Sequence, residues 1–348
     1  MHNPRYPAVR WEATPSRSGH GSLRTRRRSA PPCSGACPDV EGHPANGPDE
    51  DEPASRGASI VEVSTGVEVA AGVVLAGGRS SRMGRPKAAL EWHGSTLLYR
   101  TCALLGRTVN GPIVVVRAPG QPLPALPTGV ELVEDPVEGL GPMQGVAAGL
   151  AAVEDRAAAA FVCSTDMHFL HPAFIRRVLR RLSDPEIDLV LPVARGFRQP
   201  LAAGYRTRLA GLITKLIAAG DLRPGMLIKH VNADLLDDEV LLADRDLAAS
   251  DPNLDSVVNV NTPQEYSATR ARPAPEIAVE CFGALARAGR GGRRLIPAAT
   301  LGEAAAGVGL ELGRHVVAAL NADQVTRDPH LPLVTGDNVA FLSADAGG

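Results

Sequence analysis

Short apolar runs separated by helical patterns fill the chain from residue 67 to about residue 270. A continuous apolar run is typical of a strand that is buried on both faces of a sheet. The runs predict these strands: Val73–Ala76, Pro112–Val116, Glu131–Val133, Ala159–Ser164, Leu189–Val193 and Val257–Val260. Helices are predicted from near Ser95, after Gly141 and around Phe174. This alternation indicates an α/β fold with a Rossmann-like, mostly parallel sheet.

A change of pattern after residue 270 predicts a second, smaller domain. Residues 271–275 are rich in proline and alanine and are typical of a linker. Beyond them, three strands and a helix that begins with a capping box (Thr300, Glu303) predict a small α+β domain over residues 276–348. The predicted strands are Ile277–Cys281, Val316–Leu320 and Val339–Leu342.

Residues 1–66 show no sustained hydrophobic period and are rich in proline, glycine, serine and charge. Such a segment cannot bury enough apolar surface to offset the entropy lost on ordering, so we predict a disordered tail. Its Arg- and Ser-rich start resembles a transit peptide in composition, although a simple tail is the favoured interpretation. Cys33 and Cys37 lack the second ligand pair of a zinc site.

Composition excludes some classes of protein without selecting one. The chain has 348 residues, 44% of them hydrophobic, which is enough for more than one packed domain. Its net charge of -2 gives no general reason to expect a nucleic-acid or membrane partner. No apolar run approaches the ~20 residues that span a bilayer. Five scattered cysteines suit a reducing cytoplasm. Cys102, Cys163 and Cys281 fall in predicted helices or strands, where we expect them to pack as small apolar residues.

The segment after the first predicted strand carries the strongest chemical signal. Gly77 and Gly78 allow the backbone to approach a phosphate closely, which a Cβ would prevent. Four cationic residues follow with no acidic residue among them: Arg79, Arg82, Arg85 and Lys87. These unneutralised charges predict a polyanion site, although the spacing matches neither a Walker A loop nor a dinucleotide-binding fingerprint.

This segment resembles, nearly residue for residue, the Leu-Ala-Gly-Gly-x-Ser-x-Arg-Met-Gly-x-x-Lys signature of nucleotidyltransferases, in particular molybdenum cofactor guanylyltransferases. The resemblance implies transfer of GMP from GTP, with Mg²⁺, to molybdopterin. It implies that Arg82 and Lys87 offset the charge of the triphosphate. The nucleotide would also contact Leu75, Ala76, Gly77 and Gly78.

Two aspartates follow predicted strands. Asp166 lies after Ala159–Ser164, at the strand end where open α/β sheets bind ligands. Magnesium needs only one or two carboxylates besides phosphate oxygens and water, and the family resemblance implies that Asp166 is its ligand. The resemblance also implies that Asp135 binds the guanosine part of GTP. The alternative for both residues is an ordinary turn or helix-start aspartate.

Polar residues further along complete the predicted site. Asn259 and Asn261 precede a helix start capped by Thr262 and resemble an Asn-x-Asn-Thr-Pro-Glu motif that lies near the bound substrates in the family. Gln199 matches an element on the pterin side.

The chain departs from the family pattern at two positions. Arg117 stands where a nucleotide-contacting asparagine is typical, and His168 stands where proline usually follows the metal ligand. The choice between GTP and CTP therefore stays open, as do a sugar-phosphate nucleotidyltransferase and a non-catalytic carrier with a degenerate nucleotide domain. His168 and His171 could bind a transition metal, but lone loop histidines are more often solvated.

Residues 276–348 resemble the molybdopterin synthase small subunit, a β-grasp (ubiquitin-like) sulfur carrier. The resemblance lies in an apolar strand, the Gly336-Asp337 turn and the final Gly-Gly. It implies that Gly348 is adenylated and then converted to a thiocarboxylate. The partners would be the molybdopterin synthase large subunit and an adenylating and sulfurating enzyme. Sulfur transfer of the thiamin type is the alternative.

Overall fold

The structure is a computed structural model that describes residues 69–77, 86–137, 139–220 and 224–344. Within these ranges the chain forms fifteen β-strands and eight α-helices. The strands are β1 (Ala70–Leu75), β2 (Glu91–Trp92), β3 (Ser95–Thr96), β4 (Ile113–Arg117), β5 (Val130–Glu134), β6 (Ala159–Ser164), β7 (Leu189–Ala194), β8 (Phe197–Arg198), β9 (Ala202–Arg206), β10 (Ala233–Asp237), β11 (Glu276–Cys281), β12 (Arg294–Pro297), β13 (Val316–Leu320), β14 (Gln324–Thr326) and β15 (Asn338–Ser343). The helices are α1 (Leu97–Gly106), α2 (Pro142–Val153), α3 (Pro172–Arg181), α4 (Ala210–Ala218), α5 (Asp238–Leu242), α6 (Arg245–Ser250), α7 (Pro263–Arg270) and α8 (Leu301–Gly307).

The first sheet has the strand order β10-β7-β9-β6-β1-β4-β5, with β8 paired to β7. Strand β1 is parallel to β4 and β6, β4 is parallel to β5, and β7 is parallel to β10. Strand β9 is antiparallel to both of its neighbours. The prediction of a mostly parallel α/β sheet is confirmed, whereas β9 and β10 were not predicted.

Both faces of this sheet are covered by helices. Successive side chains of β1 point to opposite faces, so Val74 packs with the core that includes α1 and α3, while Val73 packs with the core that includes α2 and α4. This double burial explains the continuous apolar runs in the sequence. Cys102, Cys163 and Cys281 are buried free cysteines, as predicted. No helix in the described part of the chain is long and apolar enough to cross a membrane.

The predicted strand Val257–Val260 is wrong. The Asp251 carboxylate accepts hydrogen bonds from the backbone N–H groups of Asp255 and Ser256, at 2.7 and 3.0 Å. These bonds fold Asp255–Val257 into a 3₁₀ turn instead of an extended strand. Only an isolated β-bridge between Asn259 and Met167 remains of the expected pairing.

Helix α2 lies so close to β1 at Gly149 that an added Cβ would stand 2.3 Å from Cγ1 of Val73. Gly149→Ala is therefore expected to lower the free energy of unfolding by about 1–3 kcal/mol through overpacking. Gly211→Ala is the matched control, because a Cβ on Gly211 in α4 meets nothing within 4 Å. That control should gain roughly 0.5–1 kcal/mol from helix propensity. Urea denaturation measures both changes, and equal values would contradict the close approach.

The second sheet has the strand order β12-β11-β15-β13-β14. Strands β11 and β15 are parallel, and the other pairs are antiparallel. Helix α8 packs against it through Leu301, in a core with Ile277 and Phe341. The predicted capping box of this helix is only half formed. The Thr300 hydroxyl accepts from Glu303 N–H, but the Glu303 carboxylate accepts from the N–H of Ala299 instead of Thr300.

Helix α1 contacts both sheets. Leu98 and Cys102 pack into the first core, while Ala103 and Tyr99 pack with the second. At the end of the helix, the buried Arg107 guanidinium pairs with the buried Asp337 carboxylate. The second sheet is thus docked on α1 by both apolar packing and a buried ion pair.

His171 adds a titratable group to this contact. Its Nδ1 accepts a hydrogen bond from Ala173 N–H at the start of α3, so its Nε2–H donates to Thr335 O at 3.0 Å. The Ala173 bond requires an unprotonated Nδ1 and therefore the neutral ring, whereas the Thr335 bond can form with the neutral or the charged ring. Burial lowers the pKa of His171, and nearby Arg107 and Arg176 lower it further, while the Thr335 bond and Asp337 oppose the shift.

The protein is expected to lose stability as the pH falls below about 6.5, the usual pKa of histidine in an unfolded chain. Because the folded-state pKa is lower, the unfolded chain binds the proton first, and the stabilisation from neutral His171 declines toward acid pH. His171→Asn keeps an acceptor for the Ala173 N–H and does not titrate. Urea midpoints measured between about pH 5 and pH 8 should therefore fall more steeply for wild type than for His171→Asn. Parallel curves would show that His171 is not responsible.

Candidate active site

The predicted site residues lie along one edge of the first sheet, where its parallel strands end. Gly77 follows β1, Asp135 follows β5 and Asp166 follows β6. Because neighbouring strands are about 4.8 Å apart, Asp135 and Asp166 lie on opposite sides of the end of β1. Gln199 precedes β9, whose first residue Ala202 pairs with Cys163 of β6, and so lies beyond Asp166 along the same edge.

Lys87, Asp166 and Asn261 meet at the centre of this edge. The Lys87 ammonium donates hydrogen bonds to Asp166 Oδ2 and Asn261 Oδ1, both at 2.8 Å. The second carboxylate oxygen of Asp166 accepts from the Ser164 hydroxyl. Three distant segments of the sequence therefore meet at the Lys87 ammonium. Ser164 was not predicted, and its place two residues before Asp166 at the strand end is the signal that could have found it.

Backbone contacts hold the Asn259 segment beside Asp166. Asn259 pairs with Met167, and Val260 N–H donates to Asp166 O at 3.3 Å. The capping box of Thr262 and Glu265 is complete, as predicted. Asn259 and Asn261 are both exposed at this edge.

The residues at the end of β1 are tied to the neighbouring strands. Leu75 O accepts from Thr165 N–H, and the N–H groups of Ala76 and Gly77 both donate to Val116 O, at 2.8 and 3.2 Å. These two amides are therefore engaged, and an amide cradle for phosphate would begin at Gly78. Gly78 and Arg82 lie outside the described residues, so their predicted roles stay predictions.

The nucleoside end of the predicted site is built around Asp135 and Arg117. Asp135 Oδ1 accepts from Val137 N–H at 3.2 Å, yet burial has the larger effect and raises the pKa of the carboxyl. Arg117 donates to Glu134 Oε1 and to Gln121 O, both at 3.0 Å. Where the family typically has asparagine, this chain therefore has a side chain that fastens the loop after β4.

The expectation of solvated histidines is wrong. His168 and His171 are only 2% and 8% exposed. His168 Nδ1 bonds to Asp166 O at 2.9 Å, and burial lowers the pKa of His168. No group of three His, Cys, Asp or Glu side chains that could hold a metal occurs among the described residues. The segment before β15 contributes to the burial of His171, through the contact with Thr335 O. The sequence of the loop alone does not reveal this contact.

Known proteins are similar to the part of the chain that forms the first sheet. Residues 72–234 match the model of the MobA-like NTP transferase domain family. A probable molybdenum cofactor guanylyltransferase of Mycobacterium tuberculosis is 42% identical over 166 residues, covering 47% of this chain and 81% of that protein. One from Mycobacterium ulcerans is 38% identical over 187 residues, covering 52% of this chain and 91% of that protein. The crystal structure of molybdopterin-guanine dinucleotide biosynthesis protein A from Archaeoglobus fulgidus aligns with a TM-score of 0.47 and 20% identity, over 57% of this chain and 96% of that one.

Proposed function

Since the chain belongs to the molybdenum cofactor guanylyltransferase family of nucleotidyltransferases, we propose that it transfers GMP from GTP to molybdopterin with Mg²⁺ held by Asp166. The observation that carries this proposal is the contact of Lys87 with both Asp166 and Asn261 at the carboxyl edge of the first sheet. A cation, a carboxylate and an amide are thereby gathered beside the start of the glycine-rich loop.

The donor set suits magnesium. Asp166 offers a single carboxylate, and Mg²⁺ completes its shell with phosphate oxygens and water. When bound, the ion would neutralise charge on the reacting phosphates. Ser164 orients the carboxylate through its hydroxyl. Lys87 adds a positive charge at the same point. This charge would stabilise the negative charge that develops on the phosphate oxygens in the transition state more than it stabilises the bound triphosphate.

The order of residues along the sheet edge supports an arrangement of the two substrates. The guanosine would lie toward Asp135, the triphosphate at the end of β1, and the pterin toward Gln199, Asn259 and Asn261. The α-phosphate of GTP would then lie between the guanosine and the pterin, next to Asp166. Holding both reactants in this way lowers the entropic part of the barrier.

Product analysis tests this proposal. The purified chain is incubated with Mg²⁺, molybdopterin and each of GTP, CTP, ATP and UTP, and pyrophosphate release and product mass are recorded. GTP is expected to give the guanine dinucleotide. Turnover with CTP alone would replace guanylyl by cytidylyl transfer, and no turnover with any triphosphate would overturn the transferase proposal.

We further propose that residues 276–348 form a β-grasp domain that carries sulfur on Gly348, joined to the transferase domain of residues 67–270 by a linker at 271–275. The order β12-β11-β15-β13-β14, with a central parallel pair and one helix, supports the β-grasp assignment. Gly348 lies outside the described residues. The partners would be the molybdopterin synthase large subunit and an adenylating and sulfurating enzyme.

Mass spectrometry tests the carrier role. Incubation with ATP, a sulfur donor and the adenylating enzyme should exchange one carboxyl oxygen of Gly348 for sulfur. A variant lacking Gly348 is the control and should gain no sulfur. An unmodified wild-type carboxylate would contradict sulfur carriage and leave the transferase proposal standing.

A further inference from the structure

Arg100 is a buried cation in the middle of α1. The residue is 4% exposed, and its guanidinium lies 4.4 Å from the centre of the Trp92 ring. It donates to three backbone carbonyls: His168 O at 3.4 Å, Ala299 O at 3.2 Å and Leu333 O at 3.1 Å. A planar guanidinium can satisfy acceptors in several directions at once, which a single ammonium cannot do as well.

These three acceptors belong to two different parts of the molecule. His168 lies in the loop after β6, and its ring bonds to Asp166 O. Ala299 precedes α8 and Leu333 precedes β15, both in the second sheet region. One side chain therefore connects the backbone around Asp166 to the part of the chain that carries the second sheet.

We infer that Arg100 is a positioning residue for Asp166, through which the docked second sheet fixes the metal-binding carboxylate of the transferase. The inference rests on the proposed role of Asp166. It makes the second-sheet region, residues 276–344, a structural part of the transferase site in addition to any carrier function. Replacing a residue that orients a metal ligand through hydrogen bonds, without binding the metal itself, typically weakens metal affinity 10- to 100-fold.

Arg100→Lys and Tyr99→Phe form the test pair in the full-length chain. Lysine keeps the charge of Arg100 but loses the planar fork. Tyr99 is the adjacent residue of α1, and its hydroxyl donates to Asp328 Oδ2 at 2.5 Å. Tyr99→Phe thus removes one hydrogen bond between α1 and the second-sheet region but leaves the three Arg100 bonds in place.

Two readouts are measured for each variant: Mn²⁺ affinity in the presence of GTP, by electron paramagnetic resonance, and the Mg²⁺ concentration that gives half-maximal turnover. Arg100→Lys is expected to weaken both by roughly tenfold or more, whereas Tyr99→Phe should leave both at the wild-type value. Thermal melting is recorded first. If Arg100→Lys does not fold, Arg100→Gln takes its place.

Equal metal affinities in wild type and the Arg100 variant would overturn the inference, as would equal losses in the Arg100 and Tyr99 variants. If the wild-type chain itself binds no Mn²⁺ with GTP, the proposed role of Asp166 fails instead. The two failures are therefore distinguishable.

Discussion

Asp166→Asn is expected to lower the turnover number of guanylyl transfer by about 10²- to 10⁴-fold, which corresponds to the several kcal/mol that a catalytic metal supplies. Asparagine has nearly the same shape: its single amide oxygen can still accept the hydrogen bond from Lys87, and its amide N–H can donate to the Ser164 hydroxyl oxygen. The local fold should therefore survive while the negative charge that holds Mg²⁺ is lost. Pyrophosphate release at saturating GTP and Mg²⁺ measures the effect.

Asp135→Asn is the matched control for this prediction. Asp135 lies at the end of β5, two strands from β1, on the side of the sheet proposed for the nucleoside. Its replacement should raise KM for GTP more than it lowers kcat, because a group remote from the reacting phosphate contributes mainly to binding. Wild-type turnover by Asp166→Asn would remove Asp166 as the metal ligand, whereas only a wild-type chain without any turnover would favour the non-catalytic carrier.

Much of the first sheet could be predicted because its strands are buried on both faces, and the continuous apolar runs follow from that burial. The strand predicted at Val257–Val260 does not form, although its pattern is apolar, because the Asp251 carboxylate accepts hydrogen bonds from two backbone amides. Strand β9 was not predicted, since Ala202, Ala203 and Gly204 are small and give a weak apolar signal. At Val257–Val260 the contacts of a single side chain decided the local structure, whereas β9 is defined by its pairing with both neighbouring strands.

The convergence of Lys87, Asp166 and Asn261 followed from motifs at strand ends and agrees with the hydrogen bonds between them. The roles of Arg100 and His171 could not be predicted. Each contacts a carbonyl oxygen in the segment before β15, and these contacts join residues more than 160 positions apart. An arginine on a helix and a histidine in a loop normally indicate solvent exposure.

Arg107→Met is expected to lower the free energy of unfolding by about 3–5 kcal/mol. The side chains of Arg107 and Asp337 are only 6% and 4% exposed, so removing the cation leaves a buried carboxylate without its counter-charge. The same change at Arg156, whose pair with Glu131 is 45% and 47% exposed, should leave the free energy of unfolding almost unchanged because solvent screens the pair. Urea denaturation of the two variants compares a buried with an exposed ion pair.

Arg107→Met combined with Asp337→Asn decides whether the stability comes from the pair or from Arg107 alone. The two carboxylate oxygens of Asp337 accept from the Asn321 side-chain amide at 2.9 Å and from the Val334 backbone N–H at 2.8 Å. In Asp337→Asn, the single side-chain oxygen can still accept one of these bonds. The double variant carries no unpaired buried charge and should recover about 0.5–3 kcal/mol relative to the sum of the single variants. Strictly additive losses would mean that Arg107 holds the second sheet through Pro332 O, its other acceptor at 2.9 Å. The ion pair itself would then contribute little to docking.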